Sequence, residues 1–190
     1  AWRMLYTRGG LKDSESIFIL GASGGVGTAA IQIAKSIGCV VYAGSGSDEK
    51  LKRLEALGAD YGVNTSKNEE FHRTIRGMTD GEGVDVVVNY TGGETWVRSL
   101  KTLRHGGRLL TCGATIGFDP PTDIRYIWRK EMDIRGSDGW RRSDLMSLIN
   151  AVGSGVIKPI IDKVLPLEET AEGHRLLEER EVFGKVIIQP

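Results

Sequence analysis

The stretch Leu20-Gly21-Ala22-Ser23-Gly24-Gly25-Val26-Gly27-Thr28 constrains the fold of this chain more than any other. Ahead of it runs Ser16-Ile17-Phe18-Ile19-Leu20, apolar and of strand length. Behind it Ala29, Ala30, Ile33, Ala34 and Ile37 recur at helical spacing. A strand that turns through glycines straight into a helix opens a βαβ unit, and repetition of that unit builds a parallel sheet. The unit does repeat. Apolar runs predict strands over 16–20, 39–43, 61–63, 84–88, 108–111 and 132–135. Between them, amphipathic stretches predict helices over 26–37, 48–57, 68–78 and 95–103, with Gly38 and Gly58 as stops. Six strands alternating with helices give an α/β fold, a doubly wound parallel six-stranded sheet with the first strand central and helices on both faces.

The pattern changes near the end. A helix near 145–152, an extended piece over 159–164, a helix over 168–179 and a strand over 185–188 form a C-terminal α/β tail. It has too few apolar elements for a core of its own, so it must pack on the sheet or on a further part of the protein. We divide the chain into a domain over 1–143 and a tail over 144–190. The chain opens in a helical pattern without an initiating Met, and the expectation is a longer parent protein.

Charge and cysteine usage narrow the function classes. Lys and Arg number 25 against 25 Asp and Glu. Nucleic-acid binders carry a basic surplus, so no nucleic-acid partner is expected. No apolar run approaches the ~20 residues of a membrane span, and no leader pattern opens the chain. Cys39 and Cys112 are the only cysteines, with no CxxC, and His72, His105 and His174 are scattered. No metal site and no Cys39–Cys112 disulfide are expected, and a reduced, cytoplasmic protein fits this usage.

Glycines between a strand and a helix have a chemical use. A diphosphate can approach bare backbone amides only where no Cβ intervenes, and a helix N-terminus adds unpaired N–H groups and partial positive charge. Ser23, Gly24, Gly25, Val26 and Gly27 are therefore the candidate diphosphate cradle of a dinucleotide site. The second strand then selects the dinucleotide. An NAD site usually places a carboxylate at its end to hold the ribose hydroxyls. Here the strand runs into Ala43-Gly44-Ser45-Gly46-Ser47 without an acid. Ser45, Gly46 and Ser47 leave room for a 2′-phosphate, and Lys50 or Arg53 could pair with it. Asp48 falls near the expected distance, but Ser47 reads as the helix N-cap, with Asp48 and Glu49 complementing the dipole. NADP(H) is favoured, with NAD(H) as the alternative.

These residues carry a family resemblance. The turn and the following Thr28-Ala29-Ala30-Ile31-Gln32-Ile33-Ala34-Lys35 resemble the coenzyme domain of the medium-chain dehydrogenases/reductases, in the quinone oxidoreductase and zinc-type alcohol dehydrogenase branches. Leu57-Gly58-Ala59-Asp60, Gly83-Val84-Asp85-Val86-Val87, Leu103-Arg104-His105-Gly106-Gly107-Arg108, Cys112-Gly113-Ala114-Thr115, Ile134-Arg135-Gly136-Ser137 and Phe183-Gly184-Lys185-Val186-Ile187-Ile188 match in the same order. The resemblance covers essentially the whole chain, although Thr65 stands where many quinone-reductase relatives carry Tyr. It implies a Rossmann fold whose strand-end backbones at Asn89, Thr91, Gly113, Ala114 and Ser137 flank a nicotinamide. It implies hydride transfer between NADP(H) and a small-molecule carbonyl, alcohol, quinone or conjugated enone. It further implies that the tail returns from a GroES-like catalytic domain, which would hold any zinc, so that this chain alone is inactive. A homodimer through the sixth-strand edge is the implied assembly, and no side chain here is implied to be catalytic.

Two rivals remain. Tyr126-Ile127-Trp128-Arg129-Lys130 has the Tyr-x-x-x-Lys spacing of the short-chain dehydrogenases, whose lysine lowers the tyrosine pKa. The stretch 90–105 is too short for that family's long helix, and only Glu131 separates Lys130 from the sixth strand. The other rival is a non-catalytic NADP(H)-binding redox sensor or scaffold.

Overall fold

Ile17 and Ile19 point to one side of the first strand and Phe18 and Leu20 to the other, and all four are buried. A strand apolar on both faces belongs inside a helix-covered parallel sheet. The computed structural model, which describes residues 1–190, shows that sheet. Strands β1 (Ser16–Ile19), β2 (Val40–Ser45), β3 (Tyr61–Asn64), β4 (Val84–Val88), β5 (Leu103–Thr111) and β6 (Asp133–Gly136) lie in the order β3-β2-β1-β4-β5-β6. Every pairing is parallel. The order reverses between β1 and β4, which opens a crevice at the carboxyl ends of the strands.

Helices α1 (Gly25–Ile37) and α2 (Asp48–Ala56) cover one face, burying Ala30, Ile31, Ile33, Ala34, Leu51 and Leu54 against Ile17, Val41 and Val86. Helices α3 (Phe71–Met78), α4 (Thr95–Thr102) and the short α5 (Arg125–Arg129) cover the other, where Phe71, Ile75 and Leu100 pack on Phe18, Val87 and Leu109. A turn of π-helix at Arg3–Arg8 sends Met4 and Leu5 into the first cluster. No helix is long and apolar enough to cross a membrane. Both cysteines are free, Cys39 buried and Cys112 exposed.

In the sheet domain, three elements depart from the sequence-based ranges by three residues or more. β5 starts at Leu103 rather than 108, because Leu103 already pairs with Val84 before an excursion that resumes with Arg108 opposite Val86. α3 starts at Phe71 rather than 68, where the buried Phe71 ring meets Phe18 at 5.3 Å. Residues 125–129, for which the periodicity predicts no lasting helix, form α5.

The tail packs on the sheet domain. Helix α6 (Arg142–Gly153) spans the expected 143/144 division, and the buried Asp144 accepts from Arg3 at 2.9 Å and Thr7 at 2.5 Å. Strands β7 (Ile161–Pro166) and β8 (Lys185–Gln189) pair in parallel as a second, two-stranded sheet, with α7 (Thr170–Glu178) between them in sequence. Ile157 and Phe183 enter the first cluster, and the Arg53 guanidinium lies 3.9 Å from the Phe183 ring centre. Gln32 binds the tail backbone twice, donating to the Lys158 carbonyl at 3.0 Å and accepting from its amide at 2.8 Å.

Candidate functional site

The turn leaves β1 where the Leu20 amide donates to Val88 and the Ala22 amide to Gly44, so both neighbouring strands anchor it. Gly24 caps α1 without a side-chain acceptor. The amides of Gly25, Val26 and Gly27, in the first turn of the helix, have no acceptor within the chain. Three unpaired N–H groups and the positive end of a 13-residue helix therefore converge on one spot.

The glycines do different jobs. A Cβ at Gly27 would lie 2.5 Å from the Ala22 backbone, so glycine there is demanded by helix–strand packing. Gly24 has φ −81° and ψ 174°, which any residue adopts, and a Cβ there would meet only the Gly21 carbonyl, at an ordinary 3.6 Å. Nothing in the fold requires glycine at Gly24. The space above it is open, and bare backbone is left facing that space.

That space is a cleft of about 780 Å³ at the carboxyl ends of the strands. Of the residues expected there, Ser23, Gly24, Gly25, Ser45, Gly46, Ser47, Lys50 and Thr91 line it. Val26, Gly27, Gly113, Ala114, Ser137 and Asn89 do not. Gly27 is buried against the turn, and the Ser137 amide donates to the Thr111 carbonyl at 2.9 Å. Asn89 is fully buried and structural: its amide nitrogen donates to Thr95 and Ser99, and its oxygen accepts from the Thr91 and Gly92 amides at 2.9 Å. Beside Gly113 and Ala114, it is Thr115 and Ile116 that reach the cleft, held by Thr115 and Ile116 amides bonded to the Tyr90 and Thr91 carbonyls. Tyr126 and Lys130 lie elsewhere. Lys130 donates to the Leu103 carbonyl at 2.7 Å, and Tyr126 packs on the second core cluster.

At the far end of the cleft, Ser45, Ser47, Thr65 and Ser66 supply hydroxyls. Ser47 is the N-cap of α2, accepting from the Lys50 amide at 3.4 Å. Asp48 turns away from the cleft toward Asn64 and Lys67, and the Lys67 ammonium, then Asn64, hold its carboxyl below the usual aspartate range. Lys50 lines the wall with its ammonium already engaged, donating to the carbonyls of Arg180 and Val182, the latter at 2.8 Å. Burial lowers its pKa.

The tail completes the cleft in a way the sequence did not signal. The Gly184 amide donates to the Ser23 carbonyl at 2.8 Å, closing a parallel bridge between Gly184 and Gly24. Leu177, Arg180, Val182 and Gly184 thereby become cleft wall. Lys185 crosses Gly25, its Nζ 3.2 Å from the position of a Cβ there, and adds a cation beside the free amides. On the opposite wall Arg98 stands between Glu69 at 3.7 Å and Glu94 at 4.0 Å. No three His, Cys, Asp or Glu side chains converge to hold a metal ion.

The comparisons with known proteins agree with this architecture. A family model described as zinc-binding dehydrogenase matches residues 25–154. The acryloyl-coenzyme A reductase of Sulfurisphaera tokodaii is 32% identical over 193 residues, which cover 100% of this chain and 55% of that protein. A solved NAD-dependent alcohol dehydrogenase superposes with a TM-score of 0.93 at 39% identity, over 100% of this chain and 55% of that one. The 2-octenoyl-CoA carboxylase reductase CinF, solved in complex with NADP and 2-octenoyl-CoA, gives 0.91 at 31% identity, over 98% and 46%. The chain spans about half the length of the curated relatives it matches.

Proposed function

This chain belongs to the zinc-binding dehydrogenase family, and we propose that it is the dinucleotide-binding part of an NADP(H)-dependent oxidoreductase. The observation that carries the reading is Gly24, a residue with ordinary backbone angles and open space above it, beside three amides without acceptors. Such a cradle suits a diphosphate, and Lys185 adds charge to it. When bound, the cofactor supplies a hydride donor or acceptor at its nicotinamide ring. The chain's residues orient it: the turn holds the diphosphate, Thr91, Thr115 and Ile116 border the nicotinamide end, and Ser45, Gly46, Ser47 and Lys50 border the adenosine ribose.

The preference for NADP(H) rests on Asp48. Its carboxylate is committed to Asn64 and Lys67, so the end of β2 offers hydroxyls rather than an acid to the ribose. Since Lys50 is spent on carbonyls, Arg180, on the same wall and in no ion pair, is the cation we assign to the 2′-phosphate. The relatives named for acryloyl-CoA and 2-octenoyl-CoA make conjugated thioesters the leading substrate class within the carbonyl, alcohol, quinone and enone group.

We place the substrate pocket and any zinc in the part of the relatives' length that this chain does not span, with residues 144–190 packing against it. A second copy would pair along the open edge of β6. The direct test is a titration of the chain with NADPH and NADH, followed by nicotinamide fluorescence. NADPH is expected to bind at least tenfold more tightly, and equal or reversed affinities would contradict the phosphate assignment.

A further inference from the structure

The chain is neutral overall, yet five of its basic side chains line one shallow basin of about 340 Å³ with no acid among them. His72, Arg73 and Arg76 come from α3, Lys101 from the last turn of α4, and Lys130 from the end of α5. None of Arg76, Lys101 and Lys130 has a carboxylate within ion-pair distance, whereas Arg73 pairs with Glu70 at 3.3 Å. Arg76 donates one bond to the Glu82 carbonyl at 3.1 Å, and Lys130 one to Leu103 at 2.7 Å, which leaves donors of both unused.

His72 is the second observation. Its side chain is 9% exposed, and its Nδ1 is buried without a hydrogen-bond partner. That nitrogen is closed to solvent, so an anion in the basin would act on the ring through its charge. Its Nε2 stands 3.6 Å from Glu70. We infer that this basin binds a tetrahedral dianion, the phosphate group of a small phosphorylated ligand, with Arg76, Lys101 and Lys130 as the surrounding cations and the His72 ring in its lining. Charge-assisted bonds from several cations to one anion are the strong kind, and they would relieve the mutual repulsion of this cluster.

The basin and the dinucleotide cleft share no residue, although they back onto each other: Phe71 and Arg98 line the cleft, while His72 and Lys101 line the basin. His72 also sets a pH dependence. Burial lowers its pKa; Lys101 and Arg98 on α4 and Arg73 on α3 lower it further, against Glu70. An anion in the basin would favour the protonated ring, so affinity for sulfate, which stays dianionic, should rise as pH falls from 8 to 6.

The test is calorimetric titration of the chain with inorganic phosphate and with phenyl phosphate at constant ionic strength, with the His72 ring nitrogens followed by NMR. Saturable binding that moves the His72 signals, and that falls about tenfold in Lys101→Gln and in Arg76→Gln, is expected. Equal binding of phenyl phosphate would identify the phosphate as one arm of a larger ligand, and binding of inorganic phosphate alone would identify the free ion. Phosphate held only at the glycine turn would leave His72 unmoved and survive both substitutions, and that result would overturn the inference. So would tighter binding of a DNA duplex that displaces phosphate, which would make the surface a polyanion interface.

Discussion

The Tyr90 hydroxyl donates to the Gly21 carbonyl at 2.7 Å, tying the end of β4 to the first residue of the glycine turn. Gly21 holds φ +67°, and the Tyr90 ring lies 3.4 Å from where its Cβ would be. One side chain thus fixes both the direction and the spacing of the turn that carries the free amides.

Tyr90→Phe removes that bond and leaves the Gly21 carbonyl short of a donor. The expected cost is about 1 kcal/mol, which lowers Tm by roughly 2–4 °C in a domain of this size. NADPH binding should weaken several-fold because the turn is less well held. Burial also raises the Tyr90 pKa, so in a spectrophotometric titration at high pH this phenol should be the last of the five tyrosines to ionise.

Gly27→Ala would force a methyl to within 2.5 Å of the Ala22 backbone. Helix and strand must then separate, at a cost of about 1–3 kcal/mol by analogy with overpacked cores. Thermal melts should register this loss with or without cofactor.

Ser47→Asp keeps an N-cap of equal quality on α2 while placing a carboxylate in the cleft beside the ribose. Stability should hardly change. Preference should move toward NADH by tenfold or more, as measured by the ratio of the two dissociation constants. An unchanged ratio would remove Ser47 from the ribose.

Acid should loosen the amino end of the sheet. Burial acts to raise the Glu15 carboxyl, yet Arg108 and the Lys12 amide hold it below the usual glutamate range. Burial likewise opposes, and the Ser16 and Arg104 bonds outweigh it, at Asp85. Carboxyls lowered in the folded state contribute stability that is present above about pH 4 and lost as pH falls through their depressed values. Arg108 bonds Glu15 at 2.7 Å and the Gly9 carbonyl at 2.7 Å. Arg108→Leu should cost roughly 3 kcal/mol at pH 7, and much less at pH 3, in denaturant melts.

The sheet was legible because its strands are apolar on both faces and its helices repeat every few residues, so Ile17 to Leu20 announce themselves in any short window. The glycine turn was legible for the same reason: strand, glycines and helix are adjacent in sequence. Lys50 reaches the cleft wall, but its bonds to the Arg180 and Val182 carbonyls were not legible, because those partners lie at the other end of the chain. The strap from Gly184 to Ser23 and the placing of Lys185 over Gly25 depend on the same docking of the tail. Asn89 sits at a strand end as expected, but its side chain points inward because Thr95, Ser99 and two loop amides satisfy it there. No pattern within β4 reports that choice.

Gly24→Val tests the central claim most directly, because Gly24 has ordinary backbone angles and room for a Cβ, whereas a bound diphosphate would exclude a side chain. The variant and the parent chain should be melted without cofactor and titrated with NADPH in a calorimeter. Matching Tm values with NADPH binding lost in the variant is the predicted result. Undiminished NADPH binding by Gly24→Val would contradict it, since the diphosphate would then rest somewhere other than the start of α1.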